Sequence, residues 1–380
     1  MAPEHLVCFS HLRWDFVYQR PQHLMSRAAR DARVVLIEER EVREGAEPGV
    51  AVTTSREGVR VCRPIVPSGR TGADADRLEK RLVSELLARE GVRSPIVWHY
   101  SPMAEPLSRD IDASAVIYDC MDDLAAFRFA PPGLRALERR LLHRADLVFT
   151  GGQSLYRAKR SQHSSVHAFP SGVDVPHFAQ ARSTPRLPIP SDLTMTRPIL
   201  LYVGVLDERI DMGLIEAVAA RRPDWSVVLV GPVVKVDVSD LPRQPNVYWL
   251  GMKQYAELPS YLAHADVAIM PFALNEATRY ISPTKTPEYL AAGLSVVSTP
   301  IVDVVQPYGN LGLVRIADDP KGFVEACEAG MRTRPPHRAV QAVLARASWD
   351  HVWDGMASRI QEVLDSRRRP GAVPAIEARG

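Results

Sequence analysis

The sequence predicts an α/β protein of two doubly wound domains, each a mostly parallel sheet with helices on both faces. Three observations predict it. The chain has 380 residues, more than one core usually supports. Short apolar runs alternate with amphipathic stretches in both halves, the pattern of repeated β–α units. The alternation lapses once, at about residues 181–198, where Pro185, Pro188, Pro190 and Pro198 fall without periodicity. That stretch reads as a linker between residues 1–180 and residues 199–347.

Composition narrows the function classes. A hydrophobic content of 46% with 24% charged residues is that of an ordinary soluble globular protein. A net charge of +2 gives no whole-chain argument for nucleic acid. Cys8, Cys62, Cys120 and Cys327 lie far apart with no C-x-x-C pair, so free thiols in a reducing compartment are expected, and no metal site. Leu6-Val-Cys-Phe is followed at once by polar residues, unlike a signal peptide, and the longest apolar runs, about eight to ten residues, are too short to span a bilayer. The expected location is cytoplasmic.

Taken in order, Leu6 to Ser10 reads as a first strand, and Pro21 opens a helix with Leu24, Met25 and Ala28 on its apolar face. The intervening loop lacks G-x-G-x-x-G, which argues against a dinucleotide-binding domain. It crowds Arg13, Trp14, Asp15, Arg20 and His23 at a strand end instead, and a binding role for Arg13, Trp14 and Arg20 stands beside a plain packing role. Val34–Glu38, Val59–Arg63, Ile96–Tyr100, Ala115–Asp119 and Leu147–Thr150 read as further strands, and Ala75–Glu90 as an amphipathic helix. One strand ends in Asp119-Cys-Met-Asp122-Asp123, a carboxylate cluster that is solvated, capping a helix or functional. Arg128 to Arg160 carries Arg128, Arg135, Arg139, Arg140, Arg144, Arg157, Lys159 and Arg160 against Glu138 and Asp146, eight minus two or +6. It is a solvated helix face or a patch for anionic lipid.

The second half restarts at Ile199-Leu-Leu-Tyr-Val-Gly204, and Ser226–Pro232 and Asn246–Gly251 are strands ending in glycine, which lets a ligand approach the backbone closely. Pro271 to Pro300 is the most specific stretch. A buried strand at Ala265–Met270 precedes it, and Leu294–Ser298 returns as another. Between them, Thr284 to Ala292 reads as a helix, with Ser282 as N-cap, Pro283 in the first turn and Gly293 at C′. Lys285 breaks a local rule, because a cation in the first turn opposes the helix dipole by a few tenths of a kcal/mol. A bound phosphate reverses that sign, and Glu288, one turn on, is placed to accept from an adjoining ribose. The alternative is a solvated helix start.

The order Ser-Pro-x-Lys-x-x-Glu-Tyr-Leu-Ala-x-Gly, with the phrases WDFVYQRPQHL and YDCMDDLAAF, resembles the group 1 nucleotide-sugar glycosyltransferases of the GT-B fold, in a bacterial surface-polysaccharide subgroup. The resemblance implies two Rossmann-like domains facing across a cleft, with a terminal helix, residues 348–366, crossing back onto the first domain before a disordered tail at 367–380. It puts Ser282 and Lys285 on the donor diphosphate, Glu288 on the ribose, Arg209 on the diphosphate from the loop after the first strand, and Gly231 and Met252 at the nucleotide base. A second family Glu, eight residues before Glu288, is here Tyr280, and Asn275 is the nearby polar candidate for the donor sugar.

The activity so implied is hexosyl transfer from a UDP- or GDP-sugar to a glycan or lipid-linked glycan, with retention of configuration. It needs no cofactor beyond the nucleotide-sugar and no metal, whereas transferases of the other major fold use a metal held by a D-x-D motif. Asp119 and Asp122 are the carboxylates for the acceptor hydroxyl, and the enzyme is expected at the inner membrane face through the basic segment. Two rivals stay open: a nucleotide-sugar epimerase of the same layout, and a non-catalytic binding subunit suggested by Tyr280.

Overall fold

The computed structural model describes residues 4–368. The first half forms one sheet from β1 (His5–Ser10), β2 (Arg33–Glu38), β3 (Glu41–Arg43), β4 (Gly49–Thr54), β5 (Arg60–Pro67), β6 (Ile96–His99), β7 (Ala115–Cys120), β8 (Leu147–Thr150) and β9 (Val166–Ala168). Its order is β3-β5-β2-β1-β6-β7-β8-β9, with β4 antiparallel on β5 and the other pairs parallel. β1 and β7 are buried along their whole length, as strands covered on both faces must be. β3 and β4 are additions to the expected strands; β3 is largely solvated, and β4 packs only its alternating Val50 and Val52 on the core.

The second half forms β10 (Ile199–Val203), β11 (Ser226–Val230), β12 (Val247–Gly251), β13 (Val267–Met270), β14 (Ser295–Ser298) and β15 (Val314–Ile316). The order is β12-β11-β10-β13-β14-β15, parallel throughout. Strand order reverses direction between β10 and β13 here, and between β1 and β6 in the first sheet. Ligands of open α/β sheets bind at the carboxyl ends of strands at such points.

The helix Trp349–Arg368 buries Trp349, Val352, Met356, Ile360 and Leu364 in the same core as Leu6, Trp98 and Phe149 of the first sheet. The outgoing and returning chains touch where a Cβ on Gly172 would lie 2.8 Å from the Trp349 amide nitrogen. Arg367 ends this docking on Asp146 at 2.6 Å and the Ser114 carbonyl at 2.7 Å. Arg367 and Arg368, expected in the tail, belong to this helix, and the rest of that expected tail, residues 369–380, lies outside the described part.

Candidate active site in the interdomain cleft

A cavity of about 220 Å³ lies where the two switch points face each other. Trp14 to Tyr18, the loop after β1, form one wall. The opposite wall is the carboxyl ends of β10, β11 and β12, with Gly204, Gly231, Met252 and Tyr255, closed by Lys285 from the helix after β13. Gly231 has φ +148°, and a Cβ there would stand 1.8 Å from the Gly204 carbonyl oxygen. Only glycine lets these two strand ends converge at the wall. Of the predicted donor residues, Gly231, Met252 and Lys285 line this cavity directly.

The helix itself runs Lys285–Ala291, one residue later than expected, with Gly293 at φ +78° just beyond it. Ser282 does not cap it; Thr284 is the N-cap residue and has αR geometry with no side-chain cap bond. Ser282 instead faces the first domain, where a Cβ on Gly152 would meet its Cβ at 2.6 Å. Tyr289 fixes the helix to the sheet: its hydroxyl accepts from the Val203 amide at 2.8 Å at the end of β10. Lys285 Nζ, 2.7 Å from Glu288 Oε2, forms an ion pair within the helix, with side chains 20% and 11% exposed. Lys285 thus reaches the cleft cavity while holding the more buried Glu288.

Arg209 stands on the loop after β10. Its guanidinium donates to Asp207 at 2.9 and 2.7 Å and lies 5.4 Å over the Phe127 ring of the first domain. Burial opposes its charge, but Asp207 and Asp122 more than offset that and hold its pKa above the ordinary arginine value. Asp122 faces it from the first domain. Its carboxylate keeps some solvent contact, yet burial pushes its pKa up to about 6, against the pull of Arg209. Lys235 stands 6.0 Å over the same Phe127 ring and lowers the pKa of His11, already depressed by burial, to about 4. Asp207, two residues before Arg209, is the pairing partner that the sequence offers for a surface arginine; His11, Phe127 and Lys235 were not singled out, since nothing local distinguishes them and tertiary packing alone brings them here.

Asn275 is exposed at the rim, where its amide donates to the Glu208 carbonyl at 3.0 Å and its oxygen accepts from the Thr278 amide at 3.1 Å. Tyr280, the residue in place of the second family Glu, packs against the first-domain cluster of Tyr118, Val148 and Leu155. It ties the two domains together at this point.

Several first-domain expectations are corrected. Asp119 has no exposed surface and forms a buried pair with Arg20 through contacts of 2.8, 2.9 and 3.1 Å. Arg20 also donates to the Phe169 carbonyl at 2.8 Å. Two opposite charges satisfied inside the core position strands; neither reaches an acceptor. Arg13 donates to Glu38 at 3.0 Å and to the Glu39 carbonyl at 2.7 Å, bracing the loop. Trp14 lines the cleft cavity beside Gly231 and Met252. Within the +6 segment, Arg135, Arg140, Arg144 and Lys159 are bound to Asp123, Glu105, Ser108 and Glu138. The outward charge left on exposed side chains is that of Arg128, Arg139, Arg157 and Arg160. D-x-D spacings do occur, at Asp74-Ala-Asp76 and Asp110-Ile-Asp112: the first opens the helix Gly72–Arg89 with Asp74 paired to Arg70 and Asp76 to Arg40, and the second precedes β7, at the opposite end of the sheet from the cleft, with Asp110 paired to Lys80.

Comparison with known proteins accords with this geometry. Residues 197–332 match the family model described as glycosyl transferases group 1. Over 251 residues the chain is 30% identical to TuaH of Bacillus subtilis strain 168, whose name assigns it provisionally as a teichuronic acid biosynthesis glycosyltransferase. That match covers 61% of this chain and 62% of the relative, so the chain spans less than two thirds of it. Among solved structures, sucrose-phosphate synthase from Thermosynechococcus elongatus superposes with a TM-score of 0.66 at 15% identity, over 96% of this chain and 100% of that one. Anabaena HepE in complex with UDP and glucose gives 0.66 at 14%, over 94% and 99%. The E. coli trehalose-6-phosphate structure bound with UDP-2-fluoro glucose gives 0.65 at 13%, over 95% and 99%. At such identities these structures speak to fold alone. With the GT-B fold over its length, the chain is similar to the group 1 glycosyltransferases through residues 197–332 of its second half.

Proposed function

We propose that this protein transfers a hexosyl group from a UDP- or GDP-sugar to a hydroxyl of a glycan or lipid-linked glycan in bacterial surface-polysaccharide synthesis. The observation that carries the reading is Lys285 at the wall formed by Gly231 and Met252, facing the first domain across the second sheet's switch point. HepE and the E. coli trehalose-6-phosphate structure, whose titles name UDP and a UDP-sugar, lend support by analogy.

In this mechanism the sugar–phosphate bond breaks and negative charge collects on the departing diphosphate. Lys285 and Arg209 meet that charge, and preorganised donors of this kind supply several kcal/mol to a transition state. Glu288 is then released from Lys285 and accepts from the ribose hydroxyls. The new bond forms to the acceptor oxygen, and Asp122 takes the hydroxyl proton. With a pKa of about 6, Asp122 is mostly ionised near neutrality and basic enough to hold that proton. Transfer without a metal and with retention of configuration belongs to the same reading and rests on the family resemblance. So does a place at the cytoplasmic membrane face, where Arg128, Arg139, Arg157 and Arg160 each contribute about 1 kcal/mol toward anionic lipid.

The cleft cavity of 220 Å³ is smaller than the roughly 300–1,000 Å³ of ligand pockets. The domains therefore separate to admit a nucleotide-sugar and close over it, excluding water. Tyr280 has a structural reason in the domain contact, so its presence does not by itself argue for an inactive subunit.

The test is a panel of UDP- and GDP-sugars incubated with and without glycan acceptors, read by mass spectrometry. A glycosylated product and free nucleoside diphosphate, formed only with acceptor, support the proposal. A rearranged sugar formed without acceptor, or tight binding with no turnover, overturns it.

A further inference from the structure

The first domain holds a second cavity, of about 640 Å³, at its own switch point. Phe9 to His11 at the end of β1 and Ile37 to Arg40 at the end of β2 form its floor. The helix Gly72–Arg89, the segment from Ser101 to Arg109, and Pro131 and Leu137 form its walls. Its size is that of a small-molecule site, typically about 300–1,000 Å³.

The lining is apolar and electrically balanced. Ile37, Val42, Met103, Leu107, Pro131 and Leu137 supply the apolar surface, with Val42 58% and Met103 40% exposed. The charged residues are four acids, Glu38, Glu39, Asp76 and Glu79, and four bases, Arg40, Arg77, Lys80 and Arg109. Each base is already engaged. Arg40 holds Asp76 at 2.7 Å and Glu79 at 2.8 Å, Lys80 holds Asp110, Arg109 holds Glu105 at 2.9 Å, and Arg77 holds Asp74 at 3.6 Å. A phosphate entering here finds no uncommitted cation among them, whereas an uncharged apolar body loses water-exposed surface on both sides.

The floor of the cavity also feels the charge of the second domain. His11 is part of its floor, and the second-domain charge that acts on it is Lys235, which shares the Phe127 ring with Arg209. His11 Nδ1 is buried without a hydrogen-bond partner, an orphaned polar atom that a ligand hydroxyl satisfies. Because the imidazole is neutral at physiological pH, the hydroxyl meets no charge there.

We propose that this cavity is the aglycone subsite of the acceptor, and that it takes the uncharged alkyl or aryl portion of a glycoside, with one sugar hydroxyl directed past His11 toward Asp122. The assignment rests on the transferase reading above for the word acceptor, but its test needs no turnover. Octyl glucoside, kept below its micelle concentration, is titrated by calorimetry, beside glucose and glucose 6-phosphate. Binding by octyl glucoside at least tenfold tighter than by the other two is the expected result. Val42→Glu and Met103→Glu, both at exposed positions, should weaken octyl glucoside at least tenfold and leave UDP and GDP affinity and the melting temperature unchanged. Equal binding of octyl glucoside and glucose, preference for glucose 6-phosphate, or unchanged octyl glucoside affinity in both variants overturns the subsite. Failure of the transferase reading appears separately, as nucleotide-sugars that are never turned over while the chain-length preference persists.

Discussion

Two ion pairs occupy comparable places in the two halves of the molecule. Arg20 opens the helix after β1 and Lys285 opens the helix after β13, both at carboxyl ends of central parallel strands. Arg20 and Asp119 are 1% and 0% exposed and share three contacts within 3.1 Å. Lys285 and Glu288 are 20% and 11% exposed and share one, at 2.7 Å. The same chemistry is therefore structural in the first half and available to a ligand in the second. Burial with complete satisfaction locks a charge, whereas a single, less buried contact is more readily exchanged.

The largest effect expected from this contrast is on folding. Asp119→Asn leaves the Arg20 charge uncompensated in the core and should cost about 3–5 kcal/mol by denaturant unfolding. Replacing both partners, Arg20→Met with Asp119→Leu, should recover most of that loss. A cost below about 1 kcal/mol for the single variant places this pair with exposed ones and ends the contrast.

Lys285→Ala should behave the opposite way. Stability should fall by clearly less than in Asp119→Asn, since this pair is less buried, while kcat/KM falls about a hundredfold through loss of a donor to the leaving diphosphate. An unfolding loss as large as that of Asp119→Asn makes Lys285 another structural cation.

Asp122 gives a pH-dependent sign. Burial raises its pKa from an ordinary 3.8 to about 6, so ionising it is harder in the folded chain than in the unfolded one. Its contribution to stability falls as pH rises from about 4 to 6, while activity rises through about 6 as the base ionises. Asp122→Asn should remove both trends and abolish most transfer. Arg209→Gln should move the activity limb to higher pH, because Arg209 is the largest influence holding the Asp122 pKa down. A limb that stays at the same pH in Arg209→Gln, or survives in Asp122→Asn, belongs to another group.

The smallest effect concerns Tyr280. Tyr280→Ala should cost about 1 kcal/mol, the middle of the range for single substitutions, by removing a domain contact, with little change in nucleotide affinity. A change in affinity with stability intact puts the ring at the donor instead.

Much of this architecture is legible in the residues. The fully buried strands, β1, β7 and β10 among them, announce themselves as continuous apolar runs. β3 and β4 do not. In the second half the site is compact in sequence, so Lys285, Glu288 and Gly293 are recognisable from one stretch, although Pro283 suggests an earlier helix start than occurs. The first-half site is assembled from distant segments. Asp119 and Asp122 differ by three positions and look equally able to do chemistry, but β7 buries the first against Arg20, 99 residues away, whereas the second lies in the loop beyond its end, beside Arg209. Burial of this kind is a property of packing, and no local pattern encodes it. For the same reason His11 and Lys235 carry no mark in the sequence.

The central claim is that Lys285 is a ligand-binding cation and not a structural one. Calorimetric titration of UDP and GDP into the wild type and Lys285→Ala, with Arg20→Lys as a core control matched for stability at low temperature, tests it most directly. One of the two nucleotides should bind the wild type at least tenfold, or about 1.4 kcal/mol, tighter than it binds Lys285→Ala, and the folded core control should bind like the wild type. Equal affinity in wild type and Lys285→Ala, for both nucleotides, contradicts the account.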